Sequence, residues 1–411
     1  MDSWLSLELI KPLNGSPNFL SLLFHLFVSI IILVGIILMA VTLGQTRTTP
    51  TPPIGWNGRD YDADQGKRKS LREYLTSKSL PDSTPMNQFS VATASFGGIF
   101  TENPSGLNPW IGAVSPEAAR LQVEAGARGL ILDVWPDPNT RVPVVCSMID
   151  NQAWTTQWIW SKWGLSKGVG RYSNWNKLTR NTAPVASIIQ TALKAAFMSS
   201  PGTQNTDPFF LILKLHGGMT VPYLDNLGDL VRGAIGGNAM GADWNRCANQ
   251  KNICSVAASQ FLSRVFLIVI PDINPNYNIL PNISTNAAFT TLFLTTRLGE
   301  ITNALEQIPN TMFFEPSGNT TISAPSQPAC GGNPGSPQQS LAQTSLCIIQ
   351  PTTGGITTSN SEFYSTDSYD KCLQSGAQFV ALNFFPPDSN DGPLTSFFDP
   401  NYFGTYSFRK I

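Results

Sequence analysis

The sequence predicts an α/β domain built on a largely parallel sheet, preceded by one apolar membrane helix near the N-terminus. Three observations carry this prediction. Positions 19–43 are free of charged residues, strand-like and helix-like apolar segments alternate from Gln88 onward, and hydrophobic residues make up 42% of the chain. That content is ample for a core, and 411 residues have room for one large α/β barrel or two or three small domains.

Charged side chains are scarce. They make up 13% of the residues, whereas soluble domains usually carry about 25%. The polar surface must therefore be built largely from Ser, Thr, Asn and Gln, and the 33 Gly and 31 Pro residues predict long ordered loops. A formal net charge of −1 lacks the basic footprint of a nucleic-acid-binding domain, so we expect no nucleic-acid partner.

The membrane helix is predicted at residues 18–44, with the charge-free run from Phe19 to Leu43. At about 1.5 Å per residue this run extends roughly 37 Å, and a bilayer has a hydrocarbon core of about 30 Å. A cleaved signal peptide is the alternative, but its apolar region would span only about 7–15 residues. Since the run is longer and residues 1–17 precede it, we expect an uncleaved single-pass anchor, with His25 as a tolerated polar residue.

The orientation of this anchor is suggested by the flanking charges. Lys11 precedes the run, whereas Arg47 and the basic cluster Lys67–Lys69 follow it. The positive-inside rule therefore favours a cytoplasmic C-terminal domain. Glycosylation sequons at Asn282 and Asn319 favour the opposite side. We expect the cytoplasmic side.

Six cysteines occur, at positions 146, 247, 254, 330, 347 and 372. None forms a C-x-x-C pair, which argues against a zinc site. Cys247 with Cys254, and Cys330 with Cys347, are spaced to close small disulfide loops in an oxidising compartment. Six free buried thiols are the alternative, and the sequence leaves both open.

Behind the anchor, residues 45–87 are predicted to form a Pro-rich linker, with TTPTPP at 48–53, and a polar lead-in, and residues 88–411 to form the α/β domain. Strands are predicted at Phe89–Thr93, Gly129–Val134, Pro143–Cys146, Phe209–Leu215, Val265–Ile270, Met312–Phe314, Cys347–Ile349 and Gln378–Phe385. Helices are predicted at Lys69–Thr76, Pro116–Ala127, Pro184–Met198, Tyr223–Ile235 and Ala287–Gln307. Ser115 before Pro116 is a typical N-cap, and Gly331–Gln343 reads as a loop insertion.

Two late motifs and one early motif carry a family resemblance. Ala125–Trp135 reads AGARGLILDVW, Ala377–Phe385 reads AQFVALNFF, and the last residues read FDPNYFGTYSFRKI. Together they resemble the phosphatidylinositol-specific phospholipase C family, in which a G-x-R stretch leads into an E-L-D-x-W strand and a late Q-x-V-A-L-N-F-Q strand precedes a Gly- and Tyr-containing tail. The resemblance covers roughly residues 88–411. It implies a TIM-type (β/α) barrel of the PLC-like phosphodiesterase fold, with its site at the C-terminal ends of the strands.

The catalytic residues that this resemblance implies are missing. The family cleaves a phosphodiester with two histidines, one acting as general base and one as general acid. Here Ser95 and Phe96 stand where the family has histidine and a following Asn or Asp, and Ser147 stands at the second histidine. We therefore expect no catalytic residues.

The implied calcium site is also depleted. Ile131 and His216 replace two carboxylates, which leaves Asp133 as the remnant, whereas a hard cation takes about six oxygen ligands. We expect no metal and no cofactor; calcium would be implied only if the chain were an active enzyme. A residual pocket is expected from Asp133, Trp135, Lys214 and His216, although His216 reads more readily as a hydrogen-bonded loop residue than as a new catalyst.

Three functions are compatible with these patterns. The first, which we favour, is a catalytically inactive, membrane-anchored scaffold that contacts lipid through Phe19–Leu43 and binds other structural proteins of a large assembly. Its low-charge surface would suit a minor capsid or membrane-associated protein of a virus with an internal lipid membrane. The second is an active lipid phosphodiesterase with rearranged residues. The third is a non-catalytic module that binds lipid or inositol phosphate.

Overall fold

The structure is a computed structural model, and the chain divides into two compact units, Met1–Thr49 and Pro50–Ile411. The residues that it describes are 24–36, 69–102, 110–137, 140, 142–150, 175–197, 205–216, 221–239, 256–270, 293–298, 311–314, 346–350, 369, 372–373, 377–385 and 403–410. The TTPTPP spacer, the Gly331–Gln343 insertion and both sequons lie outside these ranges.

In the first unit, residues 24–36 form a helix within the predicted anchor. Its large apolar side chains are exposed, Phe24 by 65% and Ile36 by 59%, and none of its residues is charged. No helix in the described ranges combines the length and the apolarity needed to cross a bilayer. The remaining positions of Phe19–Leu43 lie outside the description, so a continuous membrane helix stays a prediction.

The second unit is an α/β structure. Its helices are α1 (Leu71–Ser77), α2 (Pro116–Glu124), α3 (Val185–Phe197) and α4 (Val221–Ile235), with 3₁₀ turns at Met86–Gln88, Gly236–Asn238 and Ala258–Phe261. Its strands are β1 (Phe89–Ser95), β2 (Ile99–Thr101), β3 (Gly112–Val114), β4 (Gly129–Pro136), β5 (Pro143–Val145), β6 (Met148–Asp150), β7 (Trp175–Lys177), β8 (Ala183–Pro184), β9 (Phe209–Leu215), β10 (Val265–Ile270), β11 (Phe293–Leu298), β12 (Thr311–Phe314), β13 (Leu346–Ile349), β14 (Phe379–Asn383) and β15 (Phe408–Lys410).

The main sheet is dominated by parallel pairing. Strands β4, β9, β10, β11, β12, β13, β14 and β1 pair in that order, each in parallel with the next. A further parallel pairing joins β1 to β4, with Thr93 opposite Gly129 and Ala94 opposite Leu130. Strand β1 thus has a parallel partner on both sides, and β15 adds an antiparallel pairing at its N-terminal half.

Helix α2 begins where the sequence predicts. The Ser115 hydroxyl accepts a hydrogen bond from the backbone N–H of Glu117 at 3.2 Å, and Pro116 occupies the first helical position. This arrangement satisfies a donor at the helix start, and the fixed φ of proline suits that position. The chain then reverses at Gly126, whose φ of +117° favours a residue without a side chain, and enters β4.

Two clusters of buried side chains pack on the two faces of the parallel strands. The helix-side cluster joins one strand face to α2, α3 and α4, and includes Ala119, Ile188, Leu227, Leu132 and Leu211. The opposite cluster joins the other strand face to α1 and the two 3₁₀ turns at Met86 and Phe261, and includes Val91, Ile131, Phe210, Phe266 and Phe379. Because both faces are covered, β9, β10 and β14 are predominantly apolar, as buried parallel strands are.

Strand β14 confirms the prediction made for Gln378–Phe385. It lies between β13 and β1, and all five of its residues are buried. Val380 and Leu382 belong to the helix-side cluster, whereas Phe379 and Ala381 belong to the opposite cluster. The side chains of β14 therefore alternate between the two clusters.

The predicted helix Ala287–Gln307 is wrong. Residues Phe293–Leu298 form strand β11, which pairs in parallel with β10 on one side and β12 on the other. The segment reads FLTTRL, and its aromatic and β-branched residues fit a pleated surface. The parallel pairing with β10 and β12 decides the conformation of a segment whose sequence period fits either a helix or a strand.

The predicted strand Pro143–Cys146 is present as β5, but it does not join the parallel strands. Strand β5 pairs antiparallel with the end of β4, with Val134 opposite Val145, and the third parallel strand is β9. Only six residues separate β4 from β5. Such a connection suits a hairpin, whereas a parallel crossover needs about a dozen residues or more.

A buried ion pair lies where α1 meets the residues preceding β4 and β9. Asp207 is 1% exposed and Arg128 is 4% exposed, with Arg128 Nε 4.0 Å from Asp207 Oδ2. The other carboxylate oxygen of Asp207 accepts the backbone N–H of Leu71 at 2.7 Å. Burial raises the pKa of the Asp207 carboxyl and lowers the pKa of the Arg128 guanidinium, and each group's charge opposes the shift of the other. The pair thus connects α1 to the sheet.

Candidate functional site

The candidate site lies at the C-terminal ends of the parallel strands. Ser95, Asp133, Lys214 and Asn383 stand at or near the ends of β1, β4, β9 and β14. On each strand, an even number of positions separates this residue from a residue of the opposite cluster. Because successive side chains of a strand point to alternate faces, all four side chains lie on the face that carries the opposite cluster. In the register of the sheet, Ser95 is opposite Asn383, and Asp133 is opposite Lys214.

Asp133 and His216 form a direct pair. The ring nitrogen Nε2 of His216 lies 2.8 Å from Oδ1 of Asp133, and the two side chains are 15% and 9% exposed. A carboxylate accepts, so Nε2 carries the proton in this contact. The sequence separates these residues by 83 positions, and the pairing of β4 with β9 brings them together.

The imidazole of His216 also stacks on Trp135. The ring centroids are 4.4 Å apart and the planes differ by 5°. Trp135 is 1% exposed, so its indole covers one face of the imidazole within the core. The four residues predicted to form a residual pocket are therefore neighbours, with Lys214 beside Asp133 in the register and half-buried.

The electrostatics of the pair keep Asp133 ionised. Burial by itself raises the pKa of the Asp133 carboxyl, but the hydrogen bond from His216 and the positive charges of His216 and Lys214 outweigh it, and the pKa is lowered overall. Asp133 is thus a buried carboxylate that has its counter-charges within the chain.

Ser95 and Phe96 lie where β1 turns away from the sheet. Ser95 is 3% exposed, and Phe96 has a φ of +50°, which is uncommon for a bulky residue. The next residue must be small, because a Cβ on Gly97 would lie 2.4 Å from the carbonyl oxygen of Ile131. The Phe96 side chain packs in the helix-side cluster, so it is turned away from the face that carries Asp133.

Ser147, at the position of the second histidine that the resemblance implies, does not lie at the end of a parallel strand. It follows the antiparallel strand β5 rather than a parallel strand, and it is buried. Its carbonyl oxygen accepts the backbone N–H of Leu178 at 2.7 Å, and the preceding Cys146 donates its N–H to the carbonyl of Asp133 at 3.2 Å. The structure therefore brings Ser95 to the face of Asp133 at a strand end, but does not bring Ser147 to a parallel-strand end.

The residues present do not fit a calcium ion. Ile131 is fully buried and belongs to the opposite cluster, so it offers no oxygen ligand. His216 brings a nitrogen where the resemblance implies a carboxylate, and that nitrogen is bonded to Asp133. Within the described ranges, no three His, Cys, Asp or Glu side chains are grouped closely enough to hold a metal ion. A hard cation with about six oxygen ligands has no such set in this part of the chain.

Asn383 was missed as a site residue. It is fully buried, donates from Nδ2 to Thr101 Oγ1 at 2.9 Å, and accepts the backbone N–H of Phe385 at Oδ1 at 3.0 Å. The signal was present in the sequence, because Asn383 is the one strongly polar residue in the apolar segment Gln378–Phe385 after its first position. These bonds tie the end of β14 to β2.

Comparison with known proteins gives structural similarity only. No family model and no curated protein sequence matches the chain. PLC21 of L. pealei is similar at 13% identity and a TM-score of 0.49, over 80% of this chain and 37% of that one. A calcium-dependent phosphoinositol-specific phospholipase C from a Pseudomonas species is similar at 11% identity and a TM-score of 0.44, over 80% and 97%. A glycerophosphodiester phosphodiesterase from Parabacteroides distasonis is similar at 11% and 0.34, over 75% and 98%.

The chain spans little more than a third of the length of PLC21 from L. pealei and from S. officinalis, at 37% and 35%. Likeness at these identities carries no information on activity. The chain has an α/β fold, and the similar solved structures carry the names of phospholipases C and of a glycerophosphodiester phosphodiesterase.

Proposed function

We propose that this chain is a catalytically inactive, membrane-anchored scaffold built on a PLC-like domain. One observation carries the proposal: the only histidine outside the apolar N-terminal run is His216, and its ring is bonded to Asp133 and stacked on Trp135. Phosphodiester cleavage of the implied kind needs an acid and a base that titrate near neutral pH. Ser95 and Ser147 supply neither.

We further propose that the eight parallel strands close into a TIM-type barrel. The support is the pairing of β1 with both β14 and β4, which gives each of the eight strands two parallel neighbours. In such a barrel the C-terminal strand ends carry the functional site, and Ser95, Asp133, Lys214 and Asn383 lie at that end.

The full-length protein in detergent is expected not to cleave phosphatidylinositol, with or without calcium. General acid–base catalysis contributes roughly 10²–10⁴ in rate, and its loss leaves little turnover to detect. Release of water-soluble inositol phosphate from radiolabelled phosphatidylinositol measures this. The double variant Ser95→His with Ser147→His is expected to stay inactive, because Ile131 and His216 leave the site without its carboxylates. Calcium-dependent turnover by the unmodified protein, abolished in Asp133→Ala, would establish the enzyme instead.

For the anchor, we propose that Phe19–Leu43 spans the bilayer as one helix and places the second unit on the cytoplasmic side. The charge-free sequence and the exposed apolar side chains of residues 24–36 support this. Extraction of membranes with carbonate at high pH is expected to leave the full-length protein in the pellet. As a control, a variant with Ile31→Lys and Val34→Lys should weaken retention, since each charge at the helix centre costs about 2.5–3.5 kcal/mol. Release of the unmodified protein into the supernatant would exclude a spanning helix.

A second candidate function is a non-catalytic module for lipid or inositol phosphate. The observation in its favour is Lys214, a half-buried cation beside Asp133 at the strand ends. Binding of phosphoinositide vesicles that Lys214→Met abolishes and Lys78→Met leaves unchanged would favour it over a pure scaffold. The role in a virion stays a prediction that depends on composition alone.

A further inference from the structure

His216 is held by three consecutive residues of the neighbouring strand. Its backbone N–H donates to the carbonyl of Val134 at 3.0 Å, which extends the β4–β9 pairing beyond the end of β9. Its ring nitrogen contacts the Asp133 carboxylate at 2.8 Å, and its ring plane lies on Trp135 at 4.4 Å. One residue therefore connects the end of β9 to Asp133, Val134 and Trp135 of β4 at once.

We propose that the His216 side chain is a built-in cross-link between β4 and β9 that takes the place of the cation implied by the family resemblance. A metal ion at this position would hold carboxylates from two strands together. Here the second carboxylate is replaced by a hydrogen-bond donor, so the two strands attach to each other directly. Asp133 needs no external cation, because a buried carboxylate is stable when it is paired and hydrogen-bonded.

Burial explains why the cross-link excludes an ion rather than coexisting with one. Asp133 is 9% exposed in its side chain, and the oxygen nearest to His216 is occupied at hydrogen-bond distance. A cation in the place of the imidazole would have to displace the ring from that oxygen and break its stack on Trp135. The position that would offer a compensating ligand, Ile131, is apolar and fully buried. The stability of the domain is therefore independent of calcium and dependent on His216.

The test is thermal unfolding of the full-length protein in detergent, with excess calcium and with a chelator. The unmodified protein is expected to unfold at the same Tm in both. Asp133→Leu and His216→Phe are each expected to lower Tm by roughly 2–6 °C, because each removes one partner of the hydrogen bond and leaves the other buried without it. His216→Phe keeps an aromatic ring that can stack on Trp135, so its effect on Tm reports the loss of the hydrogen bond to Asp133.

The double variant distinguishes a direct interaction between the two side chains from two independent contributions to Tm. Asp133→Leu with His216→Phe is expected to lower Tm by much less than the sum of the single changes, as for residues in direct contact. Asp229→Asn is the matched control, since Asp229 is 67% exposed in its side chain and pairs with Arg232 at the surface, where the change should leave Tm within about 1 °C. Additive shifts, or a calcium-dependent rise in Tm of the unmodified protein, would overturn the cross-link.

A variant designed to bind a metal ion tests whether the His216 imidazole occupies the position of a cation. The double variant Ile131→Glu with His216→Glu places both carboxylates that the resemblance implies beside Asp133, so its Tm is expected to be low in chelator and to rise by several degrees with calcium, through binding to the folded state. The readout is stability, which separates this test from the absence of phosphatidylinositol cleavage. A double variant Ile131→Glu with His216→Glu whose Tm does not change with calcium would overturn the claim that the imidazole replaces an ion.

Discussion

Replacing Arg128 by methionine is expected to lower the free energy of unfolding by about 3–5 kcal/mol. Arg128 and Asp207 are both buried, and the change leaves the Asp207 carboxylate without its counter-charge while it still accepts the N–H of Leu71. The pair is imperfect as it stands, since Arg128 Nε and Asp207 Oδ2 have no hydrogen-bond partner among the described residues. Loss of the cation therefore adds an uncompensated charge to a site that is already costly to bury.

Urea unfolding of the full-length protein in detergent, followed by circular dichroism, measures this change. The double variant Arg128→Met with Asp207→Asn is expected to recover a large part of the loss, because asparagine keeps an acceptor for Leu71 and carries no charge. The exposed pair Arg232–Asp229 provides the control, as Arg232→Met should change stability by less than about 1 kcal/mol. Equal losses of unfolding free energy in Arg128→Met and Arg232→Met would contradict the assignment of Arg128 as the counter-charge of Asp207, the residue that binds the N-terminus of α1.

Truncating Phe210 to alanine is expected to cost about 3–5 kcal/mol of unfolding free energy. Phe210 is fully buried in the opposite cluster. Its ring stacks on Phe266 with centroids 4.5 Å apart and meets the edge of Phe379 at 4.8 Å. Alanine would leave a cavity among three strands, because the neighbouring rings belong to rigid paired strands and have little freedom to collapse into it.

The same urea titration measures this second loss. Phe210→Leu is expected to lose substantially less, since it keeps most of the buried volume. Val142→Ala is a matched apolar truncation at a side chain that is 37% exposed, and it should change the unfolding free energy by less than about 1 kcal/mol. A Phe210→Ala variant as stable as Val142→Ala would show that the opposite cluster is not a packed core.

Local signals in the sequence were sufficient to predict those elements whose hydrophobic pattern and boundary residues indicate the same structure. Strands β9 and β10 begin and end where the sequence predicts, and α2 begins at its predicted N-cap Ser115. Buried apolar runs and helix caps act within a few residues, so they are readable without knowledge of the partners. Long-range pairing decided β11 and β5, because a short apolar run takes its conformation and direction from the strands beside it.

The candidate site likewise has features that the sequence determines and features that only the fold determines. The sequence by itself determined that the chain has one histidine outside its apolar N-terminal run, that serines stand at both expected histidine positions, and that Asp133 remains where carboxylates are lost. Only the tertiary structure decided that His216 fastens to that carboxylate and lies on Trp135. The physical reason is distance along the chain: 83 positions separate Asp133 from His216, and their contact exists only because β4 and β9 pair in one register. Residue types are local properties, whereas which residue satisfies a buried charge is a property of the fold.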